Sequence, residues 1–153
     1  MSLTMRPATR ADLPAIVGLL FDDENGRTRE DPSEPLDSRY LTAFEAIDAD
    51  PNQVLVAAEL DGAVVGTMQL SFLPGLSFRG SWRGQIEAVR IASHLRNQRL
   101  GEAMMLWAVE QCRARDCKMV QLTSKADRVA AHRFYARLGF AQSHVGMKLQ
   151  LRD

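Results

Sequence analysis

The segment from Gln53 to Leu73 constrains the fold more than any other part of the chain. It reads QVLVAAEL, then Asp61-Gly62, then AVVGTMQLSFL. Two apolar runs joined by a two-residue Asp-Gly connection mark a β-hairpin, because the tight turn between twisted strands needs residues that accept φ > 0. An antiparallel pair is therefore built in, and the flanking segments must pack around it. Ahead of it, LTMRPAT reads as a short strand. ATRADLPAIVGLLFDDE reads as a helix entered at Thr9 or Arg10, with Leu13, Ile16, Val17 and Leu20 on one face. Leu36 to Ala49 carries Tyr40, Leu41, Phe44 and Ile47 at helical spacing and ends before Pro51, which disfavours continuation.

After the hairpin, WRGQIEAVRIA has apolar residues on both faces and is expected as a central strand. LGEAMMLWAVEQCRARD reads as a helix with Leu100, Ala103, Met104, Trp107 and Val109 toward the core, and with Glu102, Glu110, Arg113 and Arg115 toward water. KMVQLTS, DRVAAHRFYARLGF and AQSHVGMKLQL follow as a strand, a helix stopped by Gly139 and a last strand. The order β-α-α-β-β-β-α-β-α-β is that of an α/β chain.

Length and charge narrow the partners. A chain of 153 residues supports one sizeable core, so a single domain over 1–153 is expected. The 19 basic residues balance the 19 acidic ones, so neither nucleic acid nor an anionic membrane is an expected partner, and any anion site must be local. The longest apolar run, about LPAIVGLLF, is far short of a membrane span, and MSLTMRPATRADLP lacks the apolar core of a secretory signal. A cytoplasmic location is the default expectation. Cys112 and Cys117 match neither a CxxC pair nor a zinc set and read as reduced thiols. His94, His132 and His144 have no metal-ligand spacing, so no metal is expected. Residues 22 to 38, DDENGRTREDPSEPLDS, hold hardly an apolar residue and read as a mobile loop, a candidate wall for a substrate.

Three places carry chemistry. HLRNQRLGEAMM, residues 94 to 105, joins the end of a strand to a helix through a basic loop. It presents the helix's first free N–H groups and the positive end of its dipole to an anion, although Arg96 and Arg99 alone would read equally as solvated charge. No GxxxxGK[ST] or GxGxxG occurs, so nucleotide sites of those kinds are unsupported. In AAHRFYARLGF, Tyr135 lies one turn before the terminating glycine; a buried phenol needs a partner and can donate a proton to a nearby thiolate. Glu87, among apolar neighbours with no basic residue at i±2, suits a general base if desolvated, and an exposed strand face or an unseen arginine partner accounts for it equally well.

Taken together, IEAVRIASHLRNQRLGEAMM and AAHRFYARLGF resemble the coenzyme A loop and the C-terminal A-x-x-F-Y-x-x-x-G-F helix of the GNAT superfamily of N-acetyltransferases. The likeness runs over almost the whole chain. It implies a GNAT-like α/β fold, with a mixed, mostly antiparallel sheet of about six or seven strands and about four helices. It also implies acetyl-CoA as cosubstrate. The loop pattern Q/R-x-x-G-x-G/A fits in two registers. Gln98 to Ala103 satisfies the letters, whereas Arg96 to Gly101 keeps the usual distance from the strand and is preferred; Arg99 then replaces the first glycine.

By this resemblance the backbone of Arg96, Asn97, Gln98, Arg99, Leu100, Gly101, Glu102 and Ala103 surrounds the pyrophosphate. Val89, Arg90 and Ile91 line the pantetheine arm. Arg96, Arg99 and Arg128 are candidates for phosphate contacts, and Ala131 and Phe134 belong to the same cofactor-facing helix. Tyr135 is the general acid to the departing sulfur and Glu87 the general base, directly or through water. The stretch around Arg128 and Tyr135 looks most like the aminoalkylphosphonate N-acetyltransferase branch, which suggests a small amine bearing an anion; Arg27, Arg29, Arg79 and Arg83 could meet it. Acyl-CoA sensing without turnover and acetylation of a protein amine are the alternatives. A homodimer is in keeping with the resemblance, with Met68, Leu70 and Phe72 either in the core or in a subunit contact.

Overall fold

Asp61 and Gly62 both take positive φ, at 51° and 81°, and close the hairpin expected of them. In the computed structural model, which describes residues 2–153, β1 (Leu3–Pro7) pairs antiparallel with β2 (Gln53–Leu60), and β2 with β3 (Ala63–Leu73). β4 (Arg83–Ile91) continues antiparallel to β3, and β5 (Met119–Gln121) lies parallel to β4. The strand order is β1-β2-β3-β4-β5. β4 thus has a neighbour on each side, as expected of a central strand.

Two helices, α1 (Leu13–Phe21) and α2 (Ser38–Ala49), lie between β1 and β2, and the single turn α3 (Ser77–Gly80) precedes β4. α4 (Leu100–Ala114) forms the crossover between the parallel strands β4 and β5, and α5 (Val129–Arg137) follows. The approach to α1 is set by a capping box. Thr9 N–H donates to Asp12 Oδ2 at 2.7 Å, the Thr9 hydroxyl sits 3.1 Å from the same oxygen, and Arg6 grips both carboxylate oxygens at 2.7 and 3.0 Å. This network pulls the Asp12 carboxyl down to about 2, the Arg6 hydrogen bonds outweighing burial, which acts the other way.

The main core lies between the sheet and α4. Val56, Met68, Leu70, Phe72 and Ile86 meet Met104, Met105, Ala108 and Cys112, all buried. Met68, Leu70 and Phe72 therefore fill this chain's own interior rather than a subunit contact. The stripe on α4 is Leu100, Met104, Met105, Ala108 and Cys112. Ala103, Trp107 and Val109, expected inside, are only half-buried, because the helix lies on the sheet along its i, i+4 row.

Three expectations are corrected. The sheet has five strands, not six or seven. Residues 141–151, expected as a last strand, form no ladder and are exposed along their length. β5 holds to β4 over only three residues, so this side of the sheet offers the tail little edge within its own chain. The segment 22–38 is not a free loop either. Gly26 to Thr28 form a turn of 3-10 helix, Gly26 is buried, and contacts described below tie it to the sheet. Cys112 and Cys117 are both free, Cys112 inside α4 and Cys117 just beyond it; burial pushes the Cys112 thiol up to about 11.

Candidate active site

β4 and β5 pair from Arg83–Met119 to Gln85–Gln121 and then part. β5 ends, while β4 runs on to Ile91 with only β3 beside it. In an antiparallel ladder the backbone groups of alternate residues face away from the partner. From Ile86 to Ile91 those groups therefore look into a slot between β4 and the segment that leads to α5. A bulge sharpens the opening: Thr67 faces Arg90 and Gln69 faces Glu87, so Ala88 and Val89 oppose Met68 alone. Ala88 takes φ +53°, a left-handed conformation that bends the strand at this point.

The slot leads from β4 to the loop at 92–99. Asn97 and Arg99 are both left-handed, with φ of 66° and 61°, and Arg99 caps α4. A non-glycine residue is thus held in the backbone conformation that glycine adopts most readily. The first α4 bond runs from Ala103 N–H to Arg99 O at 3.1 Å. The N–H groups of Leu100, Gly101 and Glu102 precede it and point out of the helix end, where the dipole is positive. Arg96, Asn97, Gln98 and Arg99 are exposed, whereas Leu100 is buried as the anchor of the turn.

α5 closes the other side. A Cβ built on Gly101 would lie 3.8 Å from Phe134 Cζ, so the start of α4 rests against α5. Tyr135 sits edge-on to Phe134, with ring centroids 5.2 Å apart, and to Phe140 at 6.0 Å. Burial raises the Tyr135 phenol above its usual range, while Arg128 and Arg90 pull it the other way. The hydroxyl therefore keeps its proton at neutral pH. Arg128, at the α5 N-cap, is exposed, Ala131 is half-buried, and His132 reaches Lys125 O at 2.7 Å across the first turn.

Glu87 departs from the desolvated setting that would suit a base. It is exposed, and Gln85 Nε2 donates to its Oε1 at 2.8 Å. Gln85 in turn accepts from Gln121 Nε2 at 2.8 Å, so a short polar row crosses from β5 to β4 just where the strands separate.

The sequence did not reveal how the loop after α1 meets this slot. Asp23 Oδ2 lies 2.9 Å from Arg90 Nε. That contact is ionic rather than a well-aligned hydrogen bond, since the Nε–H has no acceptor in line. Arg96 donates to Asp22 O at 3.2 Å, and Lys125 Nζ donates to Asn25 Oδ1 at 2.8 Å. One loop thereby touches β4, the 92–99 loop and the segment after β5. The available signal was Arg90 itself: a half-buried guanidinium in an interior strand needs a carboxylate, and the most acidic stretch of the chain is 22–38. Arg27 and Arg29, candidates for an anion, instead lie beside Asp22 and Glu30 at 3.5 and 2.8 Å. Among the described residues no cluster of three or more His, Cys, Asp or Glu side chains is arranged to hold a metal, and no helix is long and apolar enough to cross a membrane.

Residues 19–140, which span the slot, the loop and α5, match the acetyltransferase (GNAT) family. The chain belongs to the GNAT family. A curated relative, the aminoalkylphosphonate N-acetyltransferase of Salmonella typhimurium, is 34% identical over 105 residues, covering 69% of this chain and 68% of its own. Among solved structures, a protein of Bacillus halodurans described as a transcriptional regulator is 41% identical, with a TM-score of 0.95 over 98% of this chain and 100% of that one. An acetyltransferase of Trypanosoma brucei is 26% identical, with a TM-score of 0.79 over 98% and 100%. This GNAT chain is accordingly an N-acetyltransferase, of a family that uses acetyl-CoA as acyl donor.

Proposed function

We propose that this chain binds acetyl-CoA in the slot between β4 and β5 and transfers its acetyl group directly to the primary amine of a small, anion-bearing molecule, as one catalytic domain. The observation that carries the reading is the conjunction of three features at one opening. These are an unpaired stretch of β4 edge, a helix end with outward N–H groups, and a half-buried, protonated tyrosine beside them. An extended amide-bearing arm fits the first and a pyrophosphate the second. The left-handed backbone of Arg99 supports the register in which residues 96 to 101 form the phosphate loop, because that conformation belongs where the family pattern has glycine.

Acetyl-CoA supplies an activated thioester. The chain's own residues then have three tasks. The amides of Leu100 to Glu102 hold the phosphates, aided by the side chains of Arg96, Arg99 and Arg128. The β4 edge at Val89 and Ile91 aligns the arm, and a backbone N–H near Val89 polarises the thioester carbonyl. Tyr135 gives its proton to the sulfur as the C–S bond breaks, and Glu87, directly or through water, takes a proton from the amine as the C–N bond forms. The exposure of Glu87 favours transfer through water, as solvent reaches it.

The 22–31 segment supports a small acceptor over a peptide. Its ties to Arg90, Arg96 and Lys125 roof the opening that an extended peptide would have to enter. Arg90, Arg79 and Arg83 remain as basic groups for the acceptor's anion, Arg90 through exchange of its Asp23 partner. The curated relative's name points to the same class of acceptor. The test is thiol release from acetyl-CoA with a panel of aminoalkylphosphonates, plain alkylamines, polyamines and peptides. The highest kcat/KM is expected with an aminophosphonate. Turnover only with peptides would overturn the acceptor class, and tight acetyl-CoA binding without turnover on any amine would overturn the catalytic reading.

A further inference from the structure

Three arginines of this chain, Arg6, Arg83 and Arg90, are half-buried, and the rest are exposed. Arg6 holds Asp12 at 2.7 Å and Glu59 at 3.4 Å, and Arg90 faces Asp23 at 2.9 Å. Arg83, the first residue of β4, has no carboxylate within ion-pair reach among the described residues. A guanidinium drawn partly out of water without a counter-charge gives up hydration and gains no ion pair in return. The fold meets that demand at the other two positions and leaves it open at Arg83.

Arg83 borders a hollow of about 250 Å³ between the β3–β4 turn and β5. Phe78 and Trp82 give the hollow an apolar wall, and Ser77, Ser81 and Gln121 bring hydroxyl and amide groups to it. The guanidinium lies beneath the turn, where a Cβ on Gly75 would sit 3.5 Å from Arg83 Nη1. The turn itself has an unfavourable shape. Phe78, Arg79 and Gly80 take φ of 52°, 59° and 76°, three left-handed residues in succession, where L-residues enter this region singly if at all. Such strain persists only where the surroundings fix it, and it gathers at ligand sites. Lys118 helps to fix it: its N–H donates to Trp82 O at 2.8 Å, and its ammonium stands 5.5 Å over the Phe78 ring.

The hollow is joined to the acetyl-transfer site. Gly84 and Ile86 face α4, so Arg83, Gln85 and Glu87 alternate onto the opposite face of β4. Gln121, in the wall of the hollow, donates to Gln85, and Gln85 donates to Glu87, each at 2.8 Å. Four residues of strand, about 13 Å, separate Arg83 from Glu87. We propose that the Arg83 hollow takes the anionic end of the acceptor, a phosphonate group, while the amine lies at Glu87. This inference rests on the acceptor class proposed above and gives it an anchor. An anion reaches Arg90 only by displacing Asp23, whereas Arg83 has nothing to exchange. The span along β4 suits an acceptor whose amine and anion are several bonds apart.

The probe is propylphosphonate, which carries the anion but no amine to acetylate. Titrated into nitrogen-15-labelled protein, it is expected to shift the indole N–H resonance of Trp82 saturably, while propylamine leaves that resonance in place. Trp82→Phe tells this signal from that of Trp107. Arg83→Gln should weaken propylphosphonate binding at least tenfold, and Arg83→Lys, which keeps the charge, should recover part of it. No saturable shift at Trp82, or binding unchanged in Arg83→Gln, would overturn the proposal. Should Arg83→Gln fail to fold, intermolecular NOEs in the native protein decide: contacts from the propyl protons to the Trp82 ring are expected, and their absence would overturn it. The readout is independent of turnover. A responsive Trp82 in a protein that acetylates no aminophosphonate would fault the acceptor chemistry and leave the anion site standing; acetylation of aminophosphonates with a silent Trp82 would do the reverse.

Discussion

Gly84 offers the sharpest test of how β4 and α4 are packed, and with it of the frame that opens the slot. It is buried on β4, opposite Val120 of β5. A Cβ at this position would overlap Cys112 Sγ and lie 3.2 Å from Cys112 Cβ. Rotation of the thiol removes the first clash but not the second, so Gly84→Ala must push the C-terminal half of α4 off the sheet. Overpacking of this kind costs about 1–3 kcal/mol. Cys112→Ala alone leaves a small void and costs about 1 kcal/mol. In the double variant the new methyl occupies the space that the sulfur vacated. The two effects should then fall short of their sum by at least about 1 kcal/mol, the size of coupling between residues in contact. Urea unfolding followed by tryptophan fluorescence measures all three, since Trp107 lies on the same helix. Strict additivity would refute the packing described for β4 and α4.

Three further outcomes follow from named contacts. Asp12, held down to about 2 chiefly by Arg6, contributes stability that is present above the unfolded value of 3.8 and lost as pH falls through about 2. Asp12→Asn should therefore cost about 2 kcal/mol at neutral pH in urea melts, with the gap to the native protein closing in acid; a gap independent of pH would contradict the ion pair. Arg99→Gly relieves a left-handed arginine and should raise stability by up to about 1 kcal/mol, so a marked loss in thermal or urea unfolding would contradict the backbone placed there. Asp23→Ala removes the carboxylate that an acceptor's anion must displace from Arg90, and should lower KM for the acceptor while acetyl-CoA affinity stays within about twofold; unchanged KM would remove this ion pair from the acceptor side.

How far the sequence carried depends on whether a feature is local. The Asp61-Gly62 hairpin and the strand-loop-helix around residue 99 are encoded by neighbours in sequence and stand where their patterns put them, while the helix expected from Thr9 or Arg10 opens with a 3-10 turn at Arg10–Asp12 and becomes α-helical at Leu13. Features set by distant surfaces were not legible. The apolar stripe of α4 includes Met105, Ala108 and Cys112 instead of Trp107 and Val109, because the sheet decides which side of the helix it meets. The bulge at Ala88 depends on the register of β3, and the grip of Asp23 on Arg90 joins residues that only the fold brings together. The segment 141–151 has a strand's alternation, yet it forms no ladder, since alternation alone supplies no partner edge. Tyr135 and the 94–105 loop, singled out by motif and position, stand beside the slot between β4 and α5. The exposed, Gln85-bonded setting of Glu87 was not legible, since alternation in an interior strand does not show where the strand leaves its neighbour.

The central claim is that a protonated Tyr135, poised beside the slot, delivers the proton that lets the thiol depart. It is tested most directly by the single-turnover rate of thiol release for Tyr135→Phe, measured with an aminophosphonate acceptor at saturating acetyl-CoA. The account predicts a rate lower by about 100-fold or more with acetyl-CoA affinity essentially unchanged, the range expected when a general acid is removed. A Tyr135→Phe protein that releases thiol at the native rate across the pH range would contradict it.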